Sequence, residues 1–194
     1  DFTDRFIRPA MSNLATVVEA DVIAGLTKKV FNSVGTAGTV PNSLDVPLAA
    51  RKVLNQFLAP KGDRSLMLSS AQSAAMVSAL KGLFQDSSAI KKQYAEGMMG
   101  RTSGFDWYEN ESVYTHSRGT ATDGTVTTTI ASNGATTISL TGMGNAGTVK
   151  AGDVFTIANV KMVNPKTKAA LPIDQQFVVL ADANSGASTG PATL

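Results

Sequence analysis

The sequence has no cysteine and a single histidine, and both shortages restrict the chemistry available to the chain. Without thiols, neither a disulfide framework nor a thiolate metal site can form. A site built from imidazole and carboxylate groups would need several ligands close together, and His116 with scattered carboxylates is poor material for one. We therefore expect neither a disulfide-stapled fold nor a metal centre.

Charge and long apolar runs are also scarce. Only 16% of the residues are charged, and the formal net charge is +2. A surface that coats nucleic acid is strongly basic, so this composition argues against one. No apolar run approaches the ~18 residues that a membrane-spanning helix needs. We therefore expect no sequence-specific nucleic-acid binding and no membrane partner.

The composition changes near Gly119. Before this point the chain carries Arg, Lys, Met and helical periodicity, whereas Thr, Gly, Ala, Ser and Val dominate after it with β-branched alternation. A chain of 194 residues is long enough for one large or two small domains. We predict an α+β protein with a boundary near Arg118-Gly119-Thr120.

Apolar residues recur at steps of three and four over the first thirty positions. They are Ile7, Met11, Leu14, Val18, Val22, Leu26 and Val30. This spacing predicts one long amphipathic helix, roughly from residue 4 to 32 and ~40 Å long. Pro9 either kinks this helix or marks its true first turn.

Shorter helices and strands are predicted between this helix and Gly119. The helices are Asp45–Leu58 with Pro47 in its first turn, a third from Ser69 or Ser70 to Leu83, and a fourth from Ser87 or Ser88 to Ala95. The strands are Leu66–Leu68, Phe105–Tyr108 and Val113–His116. Together they predict a small mixed α/β layer apart from the long helix.

The second part of the chain predicts short strands only. They are Val126–Ile130, Thr136–Leu140, Asp153–Val160 and Gln176–Leu180. Asn133-Gly134 is a favourable hairpin turn between the first two. Four strands suffice for a small antiparallel sheet or an open barrel, and a closed barrel normally needs more. We therefore predict an all-β domain, and a missing final strand would fit a fragment.

One motif suggests a cofactor site, and its surroundings argue against it. Gly142–Gly147 matches G-x-G-x-x-G and follows a predicted strand. Dinucleotide binding requires a helix to begin there, because the helix N-terminal amides hold the pyrophosphate. Here the chain leads into another predicted strand, and no acidic residue follows at the usual spacing of ~20 residues. We interpret the segment as a flexible turn and expect no cofactor.

His116 raises the question of an enzyme. A triad of Ser112, His116 and Asp123 can be written down, but no nucleophile elbow or oxyanion-hole glycine motif accompanies it. A hydrolase using His116 is therefore a remote alternative. We interpret His116 as a structural imidazole near the domain boundary and expect no enzymatic activity.

Polar residues in two loops are candidate contact sites. The segment Asn164 to Lys168 places Lys166 and Lys168 between two strands, as either a solvated connection or a loop that contacts carboxylates of a neighbouring subunit. Arg101 follows Gly100 and could pair with a carboxylate of the same chain or of another. We therefore name Asn164, Lys166, Lys168 and Arg101 as candidate subunit-contact residues.

Several stretches resemble a known family when they are read in order. They are Arg8-Pro9-Ala10-Met11, Arg64-Ser65-Leu66-Met67-Leu68, Gly97-Met98-Met99-Gly100-Arg101, Gly104-Phe105-Asp106, Ala151–Val160 and Gln175–Val179. Each segment is weakly specific, but their order over nearly the whole chain resembles the major capsid (coat) proteins of tailed bacteriophages. The likeness is to the podovirus type, which carries an inserted β-barrel domain.

The resemblance implies a fold and a division into domains. The fold would be the tailed-phage capsid fold (Hong-Kong-ninety-seven-like). Residues 1–33 would be the spine helix of the peripheral domain, residues 34–118 part of the axial domain, and residues 119–194 a β-rich insertion domain without its last strand. The family's N-terminal arm, extended hairpin and return to the axial domain have no counterpart here. We therefore expect this sequence to be a middle fragment of a coat protein.

The resemblance also implies a function and partners. The chain would be a structural virion protein that assembles with copies of itself into an icosahedral head in the bacterial host cytoplasm. The head would enclose DNA without sequence-specific binding, and a scaffolding protein and a portal would be further partners. The alternative is a phage tail, baseplate or carbohydrate-binding β module with a helical adaptor. That module would need exposed aromatics, but the only aromatics after residue 118 are Phe155 and Phe177, which alternate like core positions.

Overall fold

The structure is a computed structural model that describes residues 2–80, 100–127, 134–144, 146–185 and 192–193. The chain divides into two compact units. The first unit comprises Asp1–Ile23, Ser33–Val113 and Val163–Leu171, and the second comprises Ala24–Asn32, Tyr114–Met162 and Pro172–Leu194. Helices and small sheets together confirm the α+β class. Within the described ranges, no helix is both long enough and apolar enough to cross a membrane.

The predicted long helix is present, but it is shorter at its C-terminal end. A π-helical turn over Thr3–Ile7 leads into helix α1, Arg8–Thr27. The Arg8 N–H bonds to the carbonyl of Thr3, five residues back, directly before Pro9. Proline has no N–H and crowds the carbonyl four residues earlier, so a wider turn accommodates its ring within a continuous helix.

Helix α1 ends at Thr27, so the prediction that it reaches residue 32 is wrong. The N–H groups of Lys29 and Val30 bond to the carbonyls of Leu26 and Thr27, three residues back. These bonds have the spacing of a 3₁₀ turn, so the α-helical hydrogen-bond pattern ends here. Gly25 and the β-branched Thr27 both weaken the last turn. Val30 continues the apolar spacing in sequence but does not lie on α1.

Helix α2 spans Asp45–Gln56 and contains the buried Pro47 in its first turn, as predicted. It ends before Leu58, which adopts a positive φ of 60°. The guanidinium of the buried Arg64 then folds back on the segment that follows α2. It donates to the carbonyls of Pro60 and Ala59, each at 2.7 Å, and to Oδ1 of Asn55 at 3.0 Å. These bonds satisfy two carbonyls of the irregular segment after the helix and tie that segment to Asn55.

Helix α3 spans Ser70–Leu80, and its start is a capping box. The Gln72 N–H donates to Oγ of Ser69 at 3.4 Å, and the Ser69 N–H donates to Oε1 of Gln72 at 3.1 Å. Ser69 is therefore the cap, of the two serines considered. The Ser70 N–H also donates to Oε1 of Glu111 at 2.8 Å, and hydrogen bonds from Ser70 hold the pKa of Glu111 below its usual value. Residues 81–83 and the predicted fourth helix lie outside the described residues.

A three-stranded sheet in the order β1-β3-β2 completes the first unit. Its strands are β1, Ser65–Leu68; β2, Arg101–Thr102; and β3, Phe105–Glu109. Strands β1 and β3 are parallel, and β2 is antiparallel to β3. The predicted strand Val113–His116 is wrong, although all four residues are described. Both edges of β3 are already paired with β1 and β2, so residues 113–116 have no edge of this strand to join.

The core of the first unit joins this sheet to the helices. Leu68, Met76 and Leu80 are buried together, with Leu44, Leu66 and Trp107 packed against them. Two of the buried residues lie on α3 and one lies on β1. The predicted strand around Leu66–Leu68 is thus confirmed, together with its role in a buried layer.

Three small sheets lie mostly in the described part of the second unit, and only the tip of the last one, Val163–Leu171, belongs to the first unit. They are β10-β5-β4, β6-β9 and β7-β8, with β4 at Thr125–Val126, β5 at Ser139–Thr141, β6 at Thr148–Val149, β7 at Val154–Val163, β8 at Ala170–Val178, β9 at Ala183–Asn184 and β10 at Ala192–Thr193. A buried cluster of Leu140, Met143, Val149 and Val179 forms its core. Strands β6, β9 and β10 were not predicted, because two-residue strands leave no alternating pattern.

The four predicted strands are found with changed bounds. Strands β4 and β5 pair antiparallel, with Val126 opposite Leu140, but β5 begins three residues later than predicted. Most of the turn around Asn133-Gly134 lies outside the described residues. Strand β7 extends three residues past Val160. The prediction Gln176–Leu180 is wrong in its bounds, since β8 runs from Ala170 to Val178. Pairing with β7 fixes the start of β8, and Pro172 and the polar pair Asp174-Gln175 conceal it in the sequence.

The positions of strand β7 whose side chains are buried or half-buried change from odd to even at Asn159. Phe155 and Ile157 are half-buried at odd positions, whereas Met162 is buried at an even position beyond. Asn159 adopts a φ of 67° between them. One residue in the left-handed conformation shifts the two-residue alternation by one place, as in a β-bulge. The bulge therefore lets both halves of a long strand turn apolar side chains inward.

Candidate functional site

The predicted contact loop, Asn164–Lys168, forms a structured turn at the end of the β7-β8 hairpin. The connection is short enough only for antiparallel strands. The Asn164 N–H donates to the carbonyl of Ala169 at 2.9 Å, and this bond closes the turn. Oδ1 of Asn164 accepts the N–H groups of Lys166 at 2.9 Å and Thr167 at 3.0 Å. Such a side-chain turn explains why asparagine stands first in this loop.

The two lysines of this turn point their charges outward. Lys166 and Lys168 are both exposed, and Lys168 adopts a positive φ of 57° that reverses the chain. Asn164 is half-buried because its side chain is committed to the turn. Asn164 therefore shapes the loop, and the two lysines form a basic tip that is available to an acidic surface.

Arg101 finds its partner in the same chain. Its Nη1 lies 3.6 Å from Oδ2 of Asp106, and the two side chains are 56% and 35% exposed. Arg101 and Asp106 are opposite each other on β2 and β3. Such an exposed cross-strand pair contributes little to stability, ~0–1 kcal/mol. Of the two alternatives for Arg101, the structure thus supplies the partner within the chain.

Helix α1 presents an exposed apolar face. Met11, Leu14, Val18 and Val22 are 52–58% exposed. At about 100° per residue these side chains lie on one side of the helix. The half-buried residues Ala20, Ile23 and Ala24 lie on the opposite side. We name the exposed set, with Ile7, the α1 apolar face. The sequence pattern locates this stripe, but only the structure shows that it lacks cover from the described residues.

His116 pairs with Asp153, a partner that the sequence did not indicate. Nε2 of the imidazole lies 2.6 Å from Oδ1 of the carboxylate, and the two side chains are 25% and 10% exposed. The carboxylate only accepts, so Nε2 carries the proton. Nδ1 faces the hydroxyl of Tyr114 at 3.5 Å, and Nζ of Lys28 lies 5.2 Å from the centre of the Tyr114 ring. The triad partner considered from sequence, Asp123, is not the residue that binds His116.

The second carboxylate oxygen of Asp153 binds two backbone N–H groups. Oδ2 accepts the N–H groups of Lys150 at 2.8 Å and Gly119 at 3.2 Å. Desolvation tends to raise the pKa of Asp153, but hydrogen bonds from Lys150, His116 and Gly119 outweigh it. The pKa therefore lies below its usual value. This arrangement stabilises the carboxylate and joins the segment 116–119 to the turn 150–153.

The glycine-rich segment connects β5 to β6 as a turn. Gly142 and Gly144 have φ values of 80° and 89°. The hydroxyl of the buried Ser185 donates to the carbonyl of Gly144 and accepts the Gly147 N–H, each at 2.9 Å. Strand β6 follows at once, so the helix N-terminus required for a pyrophosphate does not occur here. The prediction of a turn is confirmed.

A cleft of about 1000 Å³ lies within the second unit. Its walls combine core residues such as Leu140, Met143 and Val149 with polar residues such as Arg118 and Asp174. Phe155 also lines it, and the Phe155 and Phe177 rings stack with centroids 5.6 Å apart. Both aromatics are half-buried. The cleft thus exposes part of the apolar core of the second unit.

Among the described residues, no group of three or more potential metal ligands lies together. No protein-family model matches this chain, and a search of the curated proteins also gave no match.

Proposed function

We propose that this chain is part of a structural shell protein, a coat subunit of the tailed-phage type. Residues 1–33 would serve as the spine helix, residues 34–118 as part of the axial domain and residues 119–194 as the insertion domain. The observation that carries the proposal is the α1 apolar face, which exposes large apolar side chains along a rigid helix. Contiguous exposed apolar surface of this kind marks an interaction site.

A shell requires many repeated contacts and no reaction centre. Symmetric assembly multiplies modest interface energies, because every copy forms the same contacts. The α1 apolar face and the basic tip formed by Lys166 and Lys168 are two separate surfaces suited to such repeated contacts. Two different contact surfaces per chain are the minimum for a lattice that extends beyond a dimer.

The proposed partners follow from this assembly. They are other copies of the chain, with a scaffolding protein and a portal as the family resemblance implies. The shell would form in the cytoplasm of a bacterial host and enclose DNA in the virion. The low net charge of +2 supports enclosure without tight binding to particular DNA sequences.

Electron microscopy of the product of the whole reading frame that contains this sequence tests the proposal. We expect closed particles of uniform size, alone or with a co-expressed scaffolding protein, and a matching population by light scattering. A product that stays monomeric or dimeric at every concentration, with and without such a protein, would overturn it. The Lys52→Glu variant, altered at an exposed residue outside both surfaces, serves as the control and should assemble normally.

A further inference from the structure

We propose that two copies of this chain pair through antiparallel packing of their α1 helices, with Leu14 at the two-fold axis. The inference rests on the proposed function in taking a second copy as the occupant of the α1 apolar face. It goes further in specifying the orientation, the register and the charged residues that set both.

The α1 apolar face has the length and position that helix pairing needs. From Ile7 to Val22 it extends about 22 Å along the axis at 1.5 Å per residue. Its steps of three and four residues match the narrow seam of paired helices. The half-buried side of the helix lies opposite, and the side chains of the face itself are exposed.

The charges beside the face select the antiparallel orientation. Arg8 and Glu19 flank the same edge of the face, because they differ by eleven residues, or about three turns. Antiparallel helices bring the same edge of each partner together. Arg8 of one copy then lies beside Glu19 of the second, and symmetry forms this pair twice. In a parallel pair, Arg8 of one copy and Glu19 of the other would lie about three helical turns apart. Arg8 would then have no acidic residue of the second copy at its own height along the axis.

The charge pairs and the apolar contacts agree on one register. Pairing Arg8 with Glu19, Leu14 with Leu14, and Met11 with Val18 places the two-fold axis within one residue of Leu14 each time. Within one chain, Arg8 forms an exposed and weak pair with Asp4 at 3.0 Å. Glu19 is oriented by Nδ2 of Asn110 at 2.5 Å, with carboxylate lone pairs still available to a second donor.

Engineered cysteines test this geometry directly, since the chain has none of its own. In the proposed pair, Leu14→Cys is near its own copy, whereas Val22→Cys is about 24 Å along the axis from its own. We expect Leu14→Cys to give about tenfold more disulfide dimer under mild oxidation than Asn13→Cys, an exposed control at the same level on another face. An equimolar mixture of Ile7→Cys and Val22→Cys should cross-link, and Val22→Cys alone should not.

Charge reversal supplies a second measurement. Arg8→Glu and Glu19→Arg should each raise the dimer dissociation constant by roughly three- to tenfold, and the double variant should restore it. Equal cross-linking at Asn13 and Leu14, or equal cross-linking of Leu14→Cys and Val22→Cys, would overturn the proposal. So would a chain that stays monomeric at every concentration measured.

Different experimental results would refute the proposed coat function and the proposed helix pairing. Uniform shells from the whole reading frame without a Leu14→Cys cross-link would leave the coat function standing and refute this pairing. A Leu14→Cys dimer from a reading frame that forms no shells would do the reverse.

Discussion

The imidazole Nε2 of His116 lies 2.6 Å from Oδ1 of Asp153, although the residues are 37 positions apart. The same carboxylate binds the N–H groups of Gly119 and Lys150, and the Asp153 carbonyl accepts the Val179 N–H at 2.9 Å. One residue therefore connects three segments of the second unit. Its role is to hold the start of the β-rich region in place.

Replacing Asp153 with Asn should destabilise the second unit. The change preserves the shape of the side chain but replaces the carboxylate with a neutral amide. The N–H groups of Gly119 and Lys150 then lose a charged acceptor. We expect a loss of about 1–3 kcal/mol in the free energy of unfolding near pH 7. Denaturant unfolding measures the loss, and hydrogen exchange should place it in residues 116–119 and 150–153.

The same variant should also change the dependence of stability on pH. The pKa of Asp153 is lowered in the folded chain, so its contribution is fully present above the ordinary aspartate value of about 3.9 and is lost as the pH falls through the folded value. The difference between wild type and Asp153→Asn should therefore shrink in acid. A difference that stays constant from neutral pH into strong acid would contradict this account.

Gly119→Ala should destabilise the second unit for a steric reason. A Cβ at this position would overlap the carbonyl of Thr148, which is backbone and cannot turn aside. We expect a cost of about 1–3 kcal/mol or more, measured by thermal unfolding. Gly62→Ala is the matched control, because nothing lies within 4 Å of a Cβ there, and its effect should stay within about 0.5 kcal/mol. Equal stability of the two variants would refute the close approach at Gly119.

Arg64→Met should destabilise the first unit far more than Arg101→Met. Loss of the Arg64 guanidinium leaves the carbonyls of Ala59 and Pro60 without these donors, at a cost of about 2 kcal/mol or more. Arg101 is exposed and has one long ion pair, so its loss should cost about 0–1 kcal/mol. Chemical denaturation of both variants compares them, and similar midpoints would show that Arg64 does not support this segment.

Reversal of both tip lysines should affect assembly and leave the fold intact. Lys166→Glu with Lys168→Glu changes two exposed charges, while Asn164 keeps the turn. In the whole reading frame we expect shells of altered size or yield, seen by electron microscopy, with an unchanged circular dichroism spectrum. Lys52→Glu with Lys61→Glu makes the same charge change elsewhere and should assemble normally. Normal assembly of the tip variant would leave only the solvated-loop interpretation.

Sequence patterns predicted the elements whose signals are local. The apolar spacing predicted α1 as a helix, Pro47 predicted the first turn of α2, and a serine was expected to cap α3. Each depends on residues within one or two turns of the chain. A strand on either side of the polar loop Asn164–Lys168 was also predicted, but with wrong bounds and without the pairing of the two strands.

Features that depend on distant partners were missed or misplaced. Residues 113–116 have strand-like composition but no free edge of β3 to join, and β8 begins where β7 supplies its pair. Asp153 could not be assigned to His116, because neither spacing nor composition brings positions 116 and 153 together. The candidate site shows the same division, since the stripe on α1 was predictable whereas its exposure was not.

The mixed α+β class, the long first helix and the β-rich stretch after Gly119 were predictable from the sequence. These follow from short-range periodicity and from the φ and ψ preferences of single residues. Which strands pair, which carboxylate binds His116 and which face of α1 the described residues leave exposed depend on the tertiary structure. Each of these is a choice among partners far apart in the chain, and packing and hydrogen bonding make that choice only once the chain has folded.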